Sequence, residues 1–294
     1  MKFNHIYVIV VLMWGLLSSC ISEDYSNCYN RYVVDLSYVG DGDKEIFAEK
    51  IDKVQMHIIN EANEVVCRIS LTDEELRQQR VMLPSLGEGD YRIVFLGNSY
   101  TSSVRNMSVR SGLSDYCFGA DAYWRGDEVS GNDPLYIASI DQTIALFDPE
   151  RTTTYSKACF AASHYDVSVE IVGVPSAPKV VLTGVSPYTD FNNVAATDAD
   201  AEYVLNVAHD GASVATASCN ILRHLDHENV FLKVLSQDGN ELASICFADF
   251  LQKNSSRIDC SRHEVLIPFK VEFKSATVEV SLPDWFVVDI NPEF

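Results

Sequence analysis

From Arg31 onward, apolar and polar residues alternate in short runs closed by turn signals, the period of half-buried β-strands. In Arg31–Val39, Tyr32, Val34, Leu36 and Tyr38 share one face, opposite Val33, Asp35 and Ser37. Gly40-Asp41-Gly42-Asp43 reads as a structural turn, since it lacks the downstream acidic residue of a calcium loop. Ile51–Ile59 and Glu64–Ser70 form a hairpin across Asn60-Glu61-Ala62-Asn63, with Cys67 on a face with Val65 and Ile69. Thr72-Asp73-Glu74-Glu75 is a capping-box pattern and predicts a short helical turn through Arg80. Val81–Leu86 and a glycine-containing turn then lead into the strand Tyr91–Asn98, with Tyr91, Ile93 and Phe95 on one face. Residues 99–132 are polar with aromatic patches (Tyr116, Phe118, Tyr123, Trp124), which predicts loops and a short strand near Val104–Val109. Leu135–Ile140 and Thr143–Phe147 read as two strands that complete a first sandwich.

Asp148-Pro149-Glu150 followed by Arg151–Thr154 is the expected boundary. A first β-sandwich is therefore expected over 31–150 and a second over 157–294. In the second, Ser163–Val174 alternates cleanly, and Pro175-Ser176-Ala177-Pro178 breaks the pattern. Lys179–Val185, Ala201–Ala208 and Val214–Leu222 follow as strands. Asn229–Ser236 and Glu241–Phe247 flank the hairpin turn Gln237-Asp238-Gly239-Asn240. Ala248–Lys253 suits a helical turn, and Glu264–Phe273 and Thr277–Leu282 close the chain as strands.

The first thirty residues follow a different pattern. Lys2 is the only charged side chain before Cys20, and Ile6–Leu17 is mostly apolar. That run is short for a bilayer span but suits a signal-peptide core. Leu17-Ser18-Ser19-Cys20 reads as a lipobox, so residues 1–19 are expected to be a lipoprotein signal and Cys20 the acylated first residue. The other reading is an ordinary cleaved signal with Cys20 incidental. Residues 20–30 form a polar tail expected to be flexible. Its Ile21-Ser22-Glu23-Asp24 resembles an acidic export signal for surface lipoproteins, and a solvated linker explains it equally well.

Charge narrows the partners. The chain has 22 basic and 42 acidic side chains, a net charge of −20. Losing residues 1–19 removes only Lys2, so 21 − 42 gives −21. Nucleic acid and anionic lipid would both be repelled by such a surface. Seven cysteines follow Cys20, an odd number with no Cys-x-x-Cys, and most are expected to be core thiols. His224-Leu225-Asp226-His227 with Cys219 nearby is the one candidate metal cluster, short of the convergent ligand set that zinc needs. No nucleophile elbow, zincin helix or phosphate-binding glycine loop is present, and no motif points to an enzyme or a cofactor. Arg125-Gly126-Asp127 is a tripeptide some adhesins use, which also arises by chance in polar loops.

Four segments stand out together: Leu83-Pro84 with the glycine turn and Tyr91–Asn98, the acidic–Cys–Tyr stretch Asp24–Tyr29 after Cys20, Asp133-Pro134-Leu135-Tyr136, and the terminal Asp284-Trp285-Phe286-Val287-Val288. Taken together they resemble the FimB-type fimbrial anchor family of type V pili. Leu96 stands where the family has tryptophan, and the basic segment entering the second domain is poorly kept around Ser156-Lys157. The resemblance implies an all-β fold of two transthyretin-like Greek-key β-sandwich domains in tandem. It implies an outer-membrane lipoprotein, tethered through Cys20 and exposed on the cell surface, that anchors a fimbrium and limits its length. Its partners would be fimbrial pilin subunits, joined by β-strand complementation, with Thr277–Val288 near the docking groove. A surface carbohydrate-binding lipoprotein, with Tyr123 and Trp124 stacking on sugars, is the alternative.

Overall fold

The computed structural model describes residues 31–107, 116–145, 153–197, 199–224 and 227–286. The first sandwich packs a three-stranded sheet on a five-stranded one. In the smaller sheet β1 (Arg31–Ser37) lies between antiparallel β4 (Arg80–Met82) and parallel β9 (Thr153–Cys159). The larger has the order β10 (Ala161–Ala162), β8 (Tyr136–Ile144), β5 (Gly89–Gly97), β2 (Val54–Asn60), β3 (Val65–Ser70). Between them Tyr32, Val34 and Leu36 of β1 meet Met56, Ile58, Ile93 and Phe95. The alternation expected for Arg31–Val39 is thus the alternation of a strand with one buried face.

The second sandwich repeats the plan. Its five-stranded sheet runs β15 (Val207–His209), β16 (Val214–Leu222), β11 (His164–Val172), β19 (Leu266–Phe273), β20 (Val278–Ser281). Its four-stranded sheet runs β14 (Ala201–Leu205), β12 (Lys179–Val185), β17 (Phe231–Leu235), β18 (Glu241–Cys246). Val167, Val169 and Ile171 face Val180, Leu182, Leu232 and Val234 across the core. In both sandwiches the first strand has one antiparallel and one parallel neighbour, β4 and β9 for β1, β16 and β19 for β11. The fold is all-β, two transthyretin-like Greek-key sandwiches in tandem.

A third layer covers the outer face of the first sandwich's large sheet. It consists of β6 (Ser102–Asn106), β7 (Tyr116–Ala120) and β13 (Tyr188–Asp190). Ile59, Val94, Leu96, Leu135 and Ile137 bury into Tyr116, Phe118, Phe191 and Leu222 there. The run Ile93-Val94-Phe95-Leu96 alternates between two cores, as an unbroken apolar strand does when both faces are covered. Gly119 lets β13 approach, because a Cβ there would lie 2.3 Å from the Pro187 carbonyl oxygen.

Four expectations change in detail. Residues 153–162 complete the first sandwich: β9 follows β1 from Arg31 opposite Thr153 to Ser37 opposite Cys159, and Ala158, Phe160 and Ala162 enter the first core. The expected second unit at 157–294 therefore starts within the first unit's closing strand, whose polar residues Thr154-Tyr155-Ser156-Lys157 gave little sign of it. The expected break at Asp141-Gln142 is absent, because Asp141 pairs with Arg92 at 2.6 Å and β8 continues to Ile144. In β3, Ile58 faces Cys67 but Ile59 faces Val65, so a bulge at Val66 turns Val65 to the other face. Strand β7 lies in the stretch expected to be mainly loop.

The expected helical turns form. Helix α2 (Asp73–Gln78) carries the full capping box from Thr72 and Glu75. Helix α4 (Phe247–Lys253) buries Phe247 and Phe250 against Phe269. Two short ones, α1 (Phe47–Lys50) and α3 (Asp121–Arg125), were not foreseen.

His57 sits between β2's neighbours under Phe191, with 0% of its surface exposed. Its Nε2 lies 2.9 Å from Gln55 Oε1, and burial, helped by the Arg68 charge, pulls its pKa down to about 3 from 6.5. The fold therefore holds neutral imidazole. That stability is present above pH 6.5 and drains as pH falls toward the folded-state value, by on the order of 2 kcal/mol by pH ~5. Urea unfolding of His57→Gln is expected to show a flatter dependence between pH 7 and 5 than the natural chain. Equal slopes would contradict it.

Candidate functional site

A cluster of polar side chains ties the first sandwich to the second. Glu264, entering β19, places its carboxylate among side chains of the first sandwich. Its Oε1 accepts from the Tyr38 hydroxyl and from Tyr136 Oη at 3.1 Å, and its Oε2 pairs with Lys50 Nζ at 2.7 Å. Burial raises the carboxyl's pKa, but the Lys50, Tyr38 and Tyr136 hydrogen bonds outweigh it and hold it below the usual range. Asp41, in the turn expected to be structural, accepts the backbone N–H of His263 at 2.7 Å and of Glu264 at 3.1 Å. Burial opposes its ionisation too, and those two N–H groups win. Tyr38 and Tyr136 meet edge to face at 4.9 Å, and Tyr136 does the same with His164 at 5.3 Å.

Asp133-Pro134-Leu135-Tyr136 gains a physical meaning here. Asp133 is buried, and its Oδ2 accepts from the backbone N–H of Tyr100, Thr101 and Ser102 at 2.9, 2.8 and 2.7 Å. Leu135 enters the third-layer core, and its carbonyl accepts from Ser163 N at 2.8 Å and His164 Nδ1 at 2.9 Å. Next to the motif, Asn132 accepts from Ala120 N at 3.1 Å and donates to Tyr203 Oη at 2.6 Å, inside the second sandwich's core. The terminal Gly-Asn of β5 is local in role. Asn98, at φ 56°, accepts from Asp52 N and donates to the Lys50 carbonyl.

The candidate chemistry scatters. Cys20 lies outside the described residues. Trp124 stacks on Tyr188 with ring centroids 5.1 Å apart, and Tyr123 meets it edge-on. One face of the indole is therefore taken by the protein and closed to a sugar. Arg125 pairs with Asp121 and, at 2.7 Å, with Asp127, so the tripeptide's two charges satisfy each other around Gly126. His224 and His227 lie 4.6 Å apart beside Tyr165. Cys219 packs on the second core, where burial pushes its thiol up to about 12, far from the thiolate a metal requires. Among the described residues, no group of three or more His, Cys, Asp and Glu is placed to hold a metal. The six described cysteines are free thiols; where most were expected in the core, Cys117 is buried, Cys67, Cys219, Cys246 and Cys260 are half-buried, and Cys159 on β9 is exposed.

β20 is the outer strand beside β19, with three of its four residues exposed. After it, Trp285 is exposed and Phe286 packs on the second core under the Arg257 guanidinium. Val287 and Val288 lie outside the described residues. The partners of Glu264, Asp41 and Asp133 escaped sequence reading, because they lie more than thirty residues away and no periodicity marks them.

Two transthyretin-like sandwiches, joined by a shared layer and a polar seam, make up the described chain. The chain matches the Fimbrillin-A associated anchor proteins Mfa1 and Mfa2 over residues 25–291, and it belongs to that family. Its role is fimbria-associated, and the family is of a structural, cell-surface type. No curated protein sequence matches it. Among solved structures, the fimbrial anchor protein Mfa2 of Porphyromonas gingivalis superposes with TM-score 0.62 at 13% identity, covering 86% of this chain and 95% of that one. A candidate adhesin from Bacteroides ovatus gives 0.69 at 10% identity, covering 87% and 94%. Candidate polysaccharide binding proteins from Bacteroides thetaiotaomicron give 0.62 at 12%, covering 83% and 91%. At such identities the likeness is one of fold.

The seam predicts a measurable coupling. Glu264→Gln keeps the shape but removes the charge facing Lys50, and should lower unfolding stability by about 1–3 kcal/mol. Because the carboxyl's pKa is depressed, its contribution is present above the usual carboxylate range and lost as pH falls through it. The variant's deficit should therefore shrink below pH ~4. A deficit that is absent at pH 7, or constant down to acid pH, would contradict the role given to this carboxylate.

Proposed function

We propose that this chain is an outer-membrane lipoprotein that holds a fimbrium to the cell and limits the filament's length. The observation that carries the reading is the anchor-family match across 25–291, which spans both sandwiches. The amino terminus supports it: a short apolar run, Leu17-Ser18-Ser19-Cys20, then a polar tail to residue 30. In this reading Cys20 is acylated, and two or more chains give stable attachment at about 0.8 kcal/mol per buried methylene. No described helix is long and apolar enough to cross a membrane.

Pilin subunits are the proposed partners, and β-strand complementation the proposed means of joining them. An exposed edge offers unpaired N–H and C=O groups in a row, so an added strand gains main-chain hydrogen bonds without a catalytic side chain. The edge at β20, within the expected Thr277–Val288, is the proposed docking surface. A sugar-binding role has less support, because the ring that would stack on sugar is already stacked on Tyr188.

Two experiments test the reading. Cys20→Ala is expected to lose acyl labelling and membrane retention with an unchanged unfolding midpoint, since Cys20 precedes both cores; unchanged fractionation would contradict the tether. Deleting the gene is expected to release fimbriae into the medium. Fimbriae that stay on the deleted cells would contradict the anchor.

A further inference from the structure

We infer that the outer face of the sheet β4-β1-β9 rests on the anionic headgroups of the membrane to which the chain is tethered. Three strands in register build this face. Val33 lies opposite Met82 on one side and Tyr155 on the other, and Asp35 lies opposite Arg80 and Lys157. The first set makes an apolar row across the sheet, with Met82 60% and Tyr155 63% exposed. The second makes a charged row beside it, with Arg80 paired to Asp35 at 2.6 Å and also 5.7 Å over the Tyr155 ring. Arg31, exposed at the start of β1, adds a third cation on the same face by strand alternation.

Two features select the occupant. The first is charge. Arg31, Arg80 and Lys157 stand against Asp35, and the face remains net positive when Glu45 near Lys157 is included. The whole chain carries −20, so an anionic surface repels the molecule at large and admits it on this side. The second is the tether. Residues 21–30 alone separate Cys20 from Arg31, and even fully extended the chain between the two reaches at most about 40 Å. The face that begins at Arg31 is thus held near the lipid. A tyrosine and apolar side chains ringed by Arg and Lys suit the headgroup layer, where an amphipathic ring and a snorkelling cation each find their solvent. The net-charge argument against anionic lipid thus holds for the molecule at large and fails on this sheet.

This inference rests on acylation of Cys20, so the test separates the two. The mature chain is tethered either by its own acyl chains or by a hexahistidine tag replacing residues 1–20, bound to nickel-chelating lipid. The vesicles are phosphatidylcholine with phosphatidylglycerol, or phosphatidylcholine alone, and carry brominated acyl chains. In a Trp124→Phe/Trp285→Phe background, Tyr155→Trp reports on the face, and Leu242→Trp, on the second sandwich, is the control. On anionic vesicles the indole introduced at 155 is expected to be quenched about threefold more than that at 242, with either tether. The difference should vanish in Arg80→Gln/Lys157→Gln, with the folded circular dichroism spectrum retained, and on phosphatidylcholine alone. Equal quenching at 155 and 242 on anionic vesicles would overturn the inference. So would quenching at 155 that ignores the double substitution, or shielding of 155 only when purified fimbrial subunits are added, which would give the face to a protein. If the tagged chain behaves as expected while mass spectrometry finds Cys20 unmodified, the face stands and the lipoprotein reading falls.

Discussion

The structure depends on one sheet being dry on both faces. β8, β5 and β2 present Tyr136, Ala138, Ile93, Phe95, Met56 and Ile58 to one core and Ile137, Val94, Leu96 and Ile59 to another. A two-layer sandwich would leave the second set in water, at roughly 25 cal/mol for each Å² of apolar surface. The third layer removes that exposure, and the chain builds it from two distant places. β6 and β7 come from the first half, and β13 with Phe191 comes from the second. The two sandwiches are therefore joined through a hydrophobic core as well as through the direct run from β10 to β11.

The polar seam adds direction to that join. Hydrophobic burial does not specify an angle, whereas the Glu264 carboxylate with its three donors, and Asp41 on two consecutive N–H groups, do. Asp133 performs the same service within the first half, fixing the turn that leads into β6. For a protein proposed to hold a filament at the cell, such a join would pass a pull from one sandwich to the other without a flexible hinge between them. The buried imidazole is neutral, and the Cys219 thiol is protonated.

Much of the fold was legible because alternation is a local signal. Tyr32, Val34 and Leu36, the Thr72 capping box, and the Val167, Val169, Ile171 stripe read directly from spacing. What escaped was set by distant parts of the chain. Spacing placed Tyr91, Ile93 and Phe95 on one face of a strand, but only the third layer shows that Val94 and Leu96 are buried on the other. β7 was hidden among polar neighbours, and the Val66 bulge turned Val65 to a face that simple alternation denied it. β9 offered no clear stripe, since it is an edge strand that buries Ala158 but leaves Tyr155 and Lys157 in solvent. For the site, the Asp-Pro-Leu-Tyr stretch was visible as a pattern, while its carboxylate's partners at 100–102 and its tyrosine's partner at 264 were not.

Native-state amide hydrogen exchange across a series of low denaturant concentrations tests the shared layer most directly. Amides of β5, β7, β13 and β11 should open with one common free energy and one denaturant dependence, because the layer they build or border cannot part without uncovering two cores. Exchange of β13 at a markedly lower free energy, with β5 and β11 still protected, would show the bridging strand to be an ornament and would contradict the account.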